Sequence, residues 1–288
     1  MGVSAITPSL PSSLTSLLIF LCPLIAFIKL RFVKKYFFVK ILLTNLYIAP
    51  FRMTFFNSSQ PVLRLKQEAL DIQDLSGLLR IHWKIGDITL FQTLYTRIDQ
   101  VFALWGGITA FIFGIAQFYP ISWTNQAIAW SVLTLMGTAV MAWMTWYWVK
   151  VEKLRWVVYC WSGLMLVGVA LTDYGIFWGC GWILLNLCPI WLGLSAVGYL
   201  ASGVGMRSRT FLITGLFHLI AIPILAITPG WQFLNTGVVM SGSLFLLSGI
   251  QWDMRSPIET NLLTAEQKAF NRQQHRLRQL GNTVCRNA

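Results

Sequence analysis

Acidic side chains are scarce in this chain: ten Asp and Glu in 288 residues, the first of them Glu68. Charge of either sign nearly vanishes across Val101–Gln251, where only Lys150, Glu152, Lys153, Arg155, Asp173, Arg207 and Arg209 occur. A water-soluble domain needs a charged surface, so this scarcity excludes the soluble globular class. Catalytic signatures are missing too. No CxxC joins any of Cys22, Cys160, Cys180, Cys188 and Cys285, and no HExxH, phosphate-cradling glycine loop, nucleotide fingerprint or metal-ligand spacing is present. These absences remove dithiol redox chemistry, zinc hydrolysis and nucleotide-driven work, and no cofactor is expected.

What remains is apolar. A hydrophobic fraction of 56%, a mean hydropathy of +0.63 and 14 Trp place the chain among multi-pass membrane proteins. Apolar runs of about the 20 residues that a helix needs to cross a bilayer can be read six times. They are Val101–Tyr119, Ala127–Val149, Leu154–Thr172, Ile176–Leu200, Phe211–Ile227 and Phe233–Ile250. The expected fold is all-α: six transmembrane helices in three hairpins with short outer turns. Cys180 and Cys188 would then share the fourth span, about 12 Å apart by rise and too far to bridge.

The formal charge of +12 is unevenly spread, because eight of the 22 basic residues precede Glu68. With no basic-aromatic motif beside them, nucleic acid is not an expected partner. The loop Pro120–Gln126, the turn at Asp173–Gly175 and the segment Thr228–Gln232 carry no Lys or Arg. Lys150, Lys153, Arg155, Arg207 and Arg209 all fall on the other face. The positive-inside rule therefore puts both ends of the six-span block in the cytoplasm, in a plasma membrane, inner membrane or equivalent.

Four segments result. Residues 1–52 lack acidic side chains and hold one apolar run, Leu14–Leu30, followed by a basic cluster. That run reads either as a seventh, N-terminal span or as sequence upstream of a true start at Met53. Residues 53–100 read as membrane-proximal cytoplasmic helices. One covers Gln60–Leu79; a second, capped by Asp87, carries Ile88, Phe91, Leu94, Tyr95 and Ile98 at helical spacing. Residues 101–252 form the six-span block. Residues 253–288 form a basic cytoplasmic tail. There Ser256–Pro257 marks a helix start, Thr264 and Gln267 form a capping box, and Gly281 is the expected stop.

Few polar groups lie inside the spans, and each is costly unless paired or wetted. His218 falls mid-span five, before Pro223. Asn186 falls mid-span four, one turn before Pro189. Two Pro-interrupted helices with a polar residue near each break form the pattern of a carrier site. Asp173, at the outer end of span three, is expected to touch water. Small residues recur at four-residue spacing: Gly106, Ala110 and Gly114; Gly198 and Ser202; Gly237 and Ser241. They permit close helix packing or a homodimer face.

Gly193-Leu194-Ser195-Ala196 resembles the Gly-x-Ser pattern of rhomboid intramembrane proteases over three residues. That resemblance would imply a partner histidine in the sixth span, whereas His218 lies in the fifth. The functional expectation is a non-catalytic accessory, assembly or scaffold component in the bilayer, working with a membrane-protein partner or a second copy. Its rivals are a small-solute or ion transporter using His218 and Asn186, and an oxidoreductase subunit with His218 as ligand.

Overall fold

The structure, a computed structural model, describes Phe56 and residues 61–287 apart from 86–87, 256–257 and 259. The apolar run Leu14–Leu30, Asp87 and the Ser256–Pro257 start lie outside the described residues. The chain is mostly helical. Its long helices are α2 (Arg97–Phe118), α3 (Trp123–Val151), α4 (Arg155–Phe177), α6 (Leu187–Met206), α7 (Arg209–Ala226) and α8 (Gln232–Gly249). The first five of these are long and apolar enough to cross a membrane. The short helix α5 (Gly181–Leu185) precedes α6, α1 (Ile72–Leu75) precedes the bundle, and α9 (Ala265–Asn287) ends the chain.

The chain is not wholly α. Strand β1 (Leu63–Arg64) pairs antiparallel with β4 (Gln251–Trp252), and β2 (Leu79–Ile85) forms a hairpin with β3 (Ile88–Tyr95). The expected helix over Ile88–Tyr95 is therefore corrected to a strand. Its Ile-Thr-Leu-Phe-Gln-Thr-Leu-Tyr composition is β-branched and aromatic, and a partner strand of the same kind lies directly upstream. Gln60–Leu79 is likewise broken into β1, a loop and one turn of helix. Gly77 closes it at φ +74°, where a Cβ would strike the Arg97 guanidinium.

Helix starts follow local chemistry. Thr96 and Asp99 form a capping box, moving the start of α2 four residues ahead of the expected Val101. Ser122 and Ser208 cap α3 and α7. The third and fourth spans are corrected at their junction. Helix α4 runs on to Phe177, Gly179 turns the chain at φ +64°, and α5 and α6 are separate helices. Cys180 and Cys188 thus sit on different elements. Pro189 occupies the first turn of α6, where its missing N–H costs nothing. The tail helix starts after the expected capping box, with Thr264 and Gln267 exchanging hydrogen bonds of 3.0 and 3.2 Å. It continues through Gly281 to Asn287.

Helices α2, α3, α4, α6, α7 and α8 touch in that order, α8 packs back against α2, and α6 also meets α8. The result is a closed ring. Three of the small residues are packing sites within it. A Cβ on Gly106 would meet Phe245 at 2.9 Å, one on Gly198 would meet Trp161 at 2.6 Å, and one on Gly237 would meet Phe113 at 2.7 Å. Ser202 accepts from Trp161 Nε1 at 3.0 Å, and Ser241 donates to the Gly237 carbonyl at 2.6 Å. Ala110 is exposed, and a Cβ on Gly114 would meet nothing within 4 Å. Large apolar side chains cover the outside, Trp143 at 74% exposure and Leu185 at 80% among them. Water would not tolerate such a surface, whereas lipid would.

Candidate functional site

A narrow cavity of about 180 Å³ runs inside the ring. All six long helices supply its wall, from Leu187 near one end of α6 to Met206 at the other, about 28 Å apart by helical rise. Trp105, Trp130, Trp148, Trp161, Trp191 and Tyr199 make it strongly aromatic. Its few polar groups are mostly spent on the helices themselves. Thr109, Thr145 and Thr172 donate back to carbonyls one turn earlier, at 2.8 Å each. So apolar a lining suits an apolar guest better than water.

The sequence-selected residues do not converge on it. His218, on α7, is fully buried on the cavity wall. Its ring stacks obliquely on Tyr199 at 4.9 Å, and Nδ1 stands 2.8 Å from the Thr214 carbonyl. Asn186 is not a mid-span residue. It sits ahead of α6, half-buried, donates to the Trp182 carbonyl at 2.8 Å, and is not on the cavity wall. Asp173 does more than touch water: a turn inside the end of α4, it accepts from the Ser131 hydroxyl of α3 at 2.9 Å. Ser195 lines the cavity too, but no hydrogen bond joins it to His218, whose Nε2 has no partner among the described residues.

No family model, curated protein or solved structure matches the chain.

A polar layer that sequence reasoning did not anticipate closes one end of the ring. Asp253 and Arg255, two residues apart after α8, stitch three helix ends together. The Asp253 carboxylate accepts from Ser208 Oγ, the backbone N–H groups of Arg209 and Thr210, Arg209 Nε and Thr210 Oγ1, all at 2.8–3.0 Å. It thus neutralises the positive end of the α7 dipole. Arg255 donates to the carbonyls of Gly205 and Glu152 at 2.8 and 2.6 Å, at the negative ends of α6 and α3. The signal was available: an acid and an arginine at spacing two, directly after an apolar helix.

Next to these lies a smaller chamber of about 110 Å³, which shares Ile98 and Trp148 with the apolar cavity. Most of its charges are paired. Lys66 meets Asp99 at 2.8 Å and Arg278 meets Asp71 at 2.9 Å. A relay of side chains runs from Asn271 of the tail helix to Gln73 at 3.0 Å and on to Glu152 at 2.9 Å. The tail is therefore docked on residues 69–75, rather than resting free as a solvated basic helix.

Burial pushes the Glu152 carboxyl up to about 7 despite Arg255, and Asp74 and Asp71 push the same way. Burial beside Asp71 lifts Asp74 to about 6, although Trp148 Nε1 donates to it at 2.9 Å. A carboxyl raised on folding holds a proton that the unfolded chain releases. Its stability is complete below the unfolded value of 4.5 and is lost as pH rises through about 7. For Glu152 the loss is about 3 kcal/mol by pH 8. Thermal unfolding of the detergent-solubilised protein should show a lower Tm at pH 8 than at pH 5. Glu152→Gln keeps the acceptor for Gln73 and should remove most of that slope; an unchanged slope would refute the assignment.

Proposed function

We propose that the chain is a non-catalytic, six-span accessory component of a membrane, with both ends of the block cytoplasmic, which works by holding one elongated apolar ligand in its helical ring. The observation that carries this reading is the cavity itself: narrow, aromatic, running along the bundle and built from all six long helices. The 18-residue helix α8 carries no charge and packs along α2 like its neighbours, which supports counting it as the sixth span. Lys150, Lys153, Arg155, Arg207 and Arg209 gather at the end closed by the polar layer, and by the positive-inside rule that layer faces the cytoplasm. A carrier based jointly on His218 and Asn186 has less support, because only His218 reaches the cavity.

The test is native mass spectrometry after mild solubilisation, with the absorption spectrum recorded first. The wild type should carry a stoichiometric apolar adduct. Ser195→Leu, which adds bulk at a wall position only 2% exposed, should release it. Adding back the released molecule should raise the Tm of the stripped wild type but not of the variant, as mass action requires. A wild type without any adduct, unmoved by added lipid extract, would overturn the reading.

A further inference from the structure

Among the described wall residues of the apolar cavity, the buried polar atoms left without a partner are His218 Nε2 and Trp105 Nε1. Their neighbours make this exceptional. Trp130 donates to Gln126 at 3.2 Å, Trp148 to Asp74 at 2.9 Å, Trp161 to Ser202 at 3.0 Å and Trp191 to Thr172 at 3.2 Å. Gln126 donates onward to the Ile121 carbonyl at 2.8 Å, and Ser202 to the Gly198 carbonyl at 2.8 Å. Trp130, Trp148, Trp161 and Trp191 thus find partners within the protein, and these two buried atoms do not.

Their chemistry is complementary. A carbonyl oxygen can only accept, so the 2.8 Å contact with Thr214 fixes the proton on Nδ1. The neutral ring then presents Nε2 as an acceptor. Trp105 Nε1 is a donor only. Leaving either group dry costs more than a hydrogen bond to it returns, so a guest that answers them is selected over one that does not. A hydroxyl on the guest answers His218, since its proton reaches that acceptor. An anionic head would instead meet an acceptor at His218 and lose its own hydration.

We propose that His218 reads a hydroxyl on the bound guest, which makes the ligand class a long-chain or isoprenoid alcohol. This rests on the cavity holding an apolar ligand. His218 is then a specificity-determining residue, and its burial at 0% exposure is what makes the unmet acceptor selective.

The experiment is competition for the stripped wild-type protein between farnesol and its hydrocarbon counterpart farnesene, read by native mass spectrometry. The alcohol should be preferred by about tenfold, the ratio expected for one buried hydrogen bond. His218→Leu should bind both equally, whereas His218→Gln, which retains an acceptor, should keep part of the preference. Equal binding by the wild type would overturn the hydroxyl reading while leaving the apolar-ligand reading intact. A preference that survives in His218→Leu would remove His218 from the role. If the wild type took up neither probe, both readings would fall together.

Discussion

Replacing Asp253 with Ala should destabilise the protein by about 4 kcal/mol, because it strips the acceptor from several buried donors at once. The residue is 3% exposed, and its carboxylate serves Ser208, Arg209 and Thr210 together. Without it the first turn of α7 keeps unmet N–H groups, and the Arg209 guanidinium loses its 2.9 Å ion pair. Asp253→Asn should lose somewhat less, since the amide oxygen still accepts while its NH₂ faces donors. Denaturation in mixed micelles would measure both, and a loss under about 1 kcal/mol for the alanine variant would contradict the account. The pH dependence has the opposite sign to that of Glu152. Burial alone would raise the Asp253 carboxyl, but the donors from Arg209 and Thr210 prevail and hold it below the ordinary aspartate range. Its stabilisation is present above the unfolded value and is lost as pH falls through the folded one. Acidification below pH 4 should therefore weaken the wild type and leave Asp253→Asn nearly unaffected by this group.

Arg278→Ala should undock the tail helix without unfolding the ring. Arg278 and Asp71 are both buried, and the guanidinium reaches both carboxylate oxygens at 2.9 Å and the Ala69 carbonyl at 3.0 Å. Removing one partner of such a pair costs about 3–5 kcal/mol, since the other is left charged and dry. That exceeds what the two hydrogen bonds of Asn271, with Ile72 N–H and with Gln73, return at about 1 kcal/mol each. Limited proteolysis should then cut within 265–287 while the Tm of the bundle stays nearly constant. Replacing both partners, as Asp71→Leu with Arg278→Met, should restore protection, because a buried pair exchanged for apolar packing is often neutral or better. Protection equal to wild type in Arg278→Ala would show that the pair does not hold the tail.

These two sites indicate where the polar residues of the chain are spent. The ring has few charges because lipid does not tolerate them, so charge collects at one end and serves as the fastening there. The same economy makes His218 conspicuous. Its Nε2, like Trp105 Nε1, has no partner among the described residues.

The apolar runs, their spacing and the Lys and Arg bias of the loops made the membrane class and the position of most helices legible from composition alone. Those features report on the solvent around each residue, and lipid leaves a long, unambiguous imprint. The capping box at Thr264 and Gln267 was equally local, and it formed as read. Tertiary structure decided the rest. Ile88–Tyr95 carries apolar residues compatible with either period, and only pairing with Leu79–Ile85 made it a strand. Asn186 looked central because the fourth apolar run was counted as one helix. The break between α5 and α6 put it at a helix end, off the cavity wall that His218 lines. Asp253, Arg255, Glu152 and Arg278 looked like ordinary flanking charges. Their roles come from bringing helix ends and the tail into one layer, across separations of up to 209 residues. The cavity belongs to no single helix, since it exists only where six of them close.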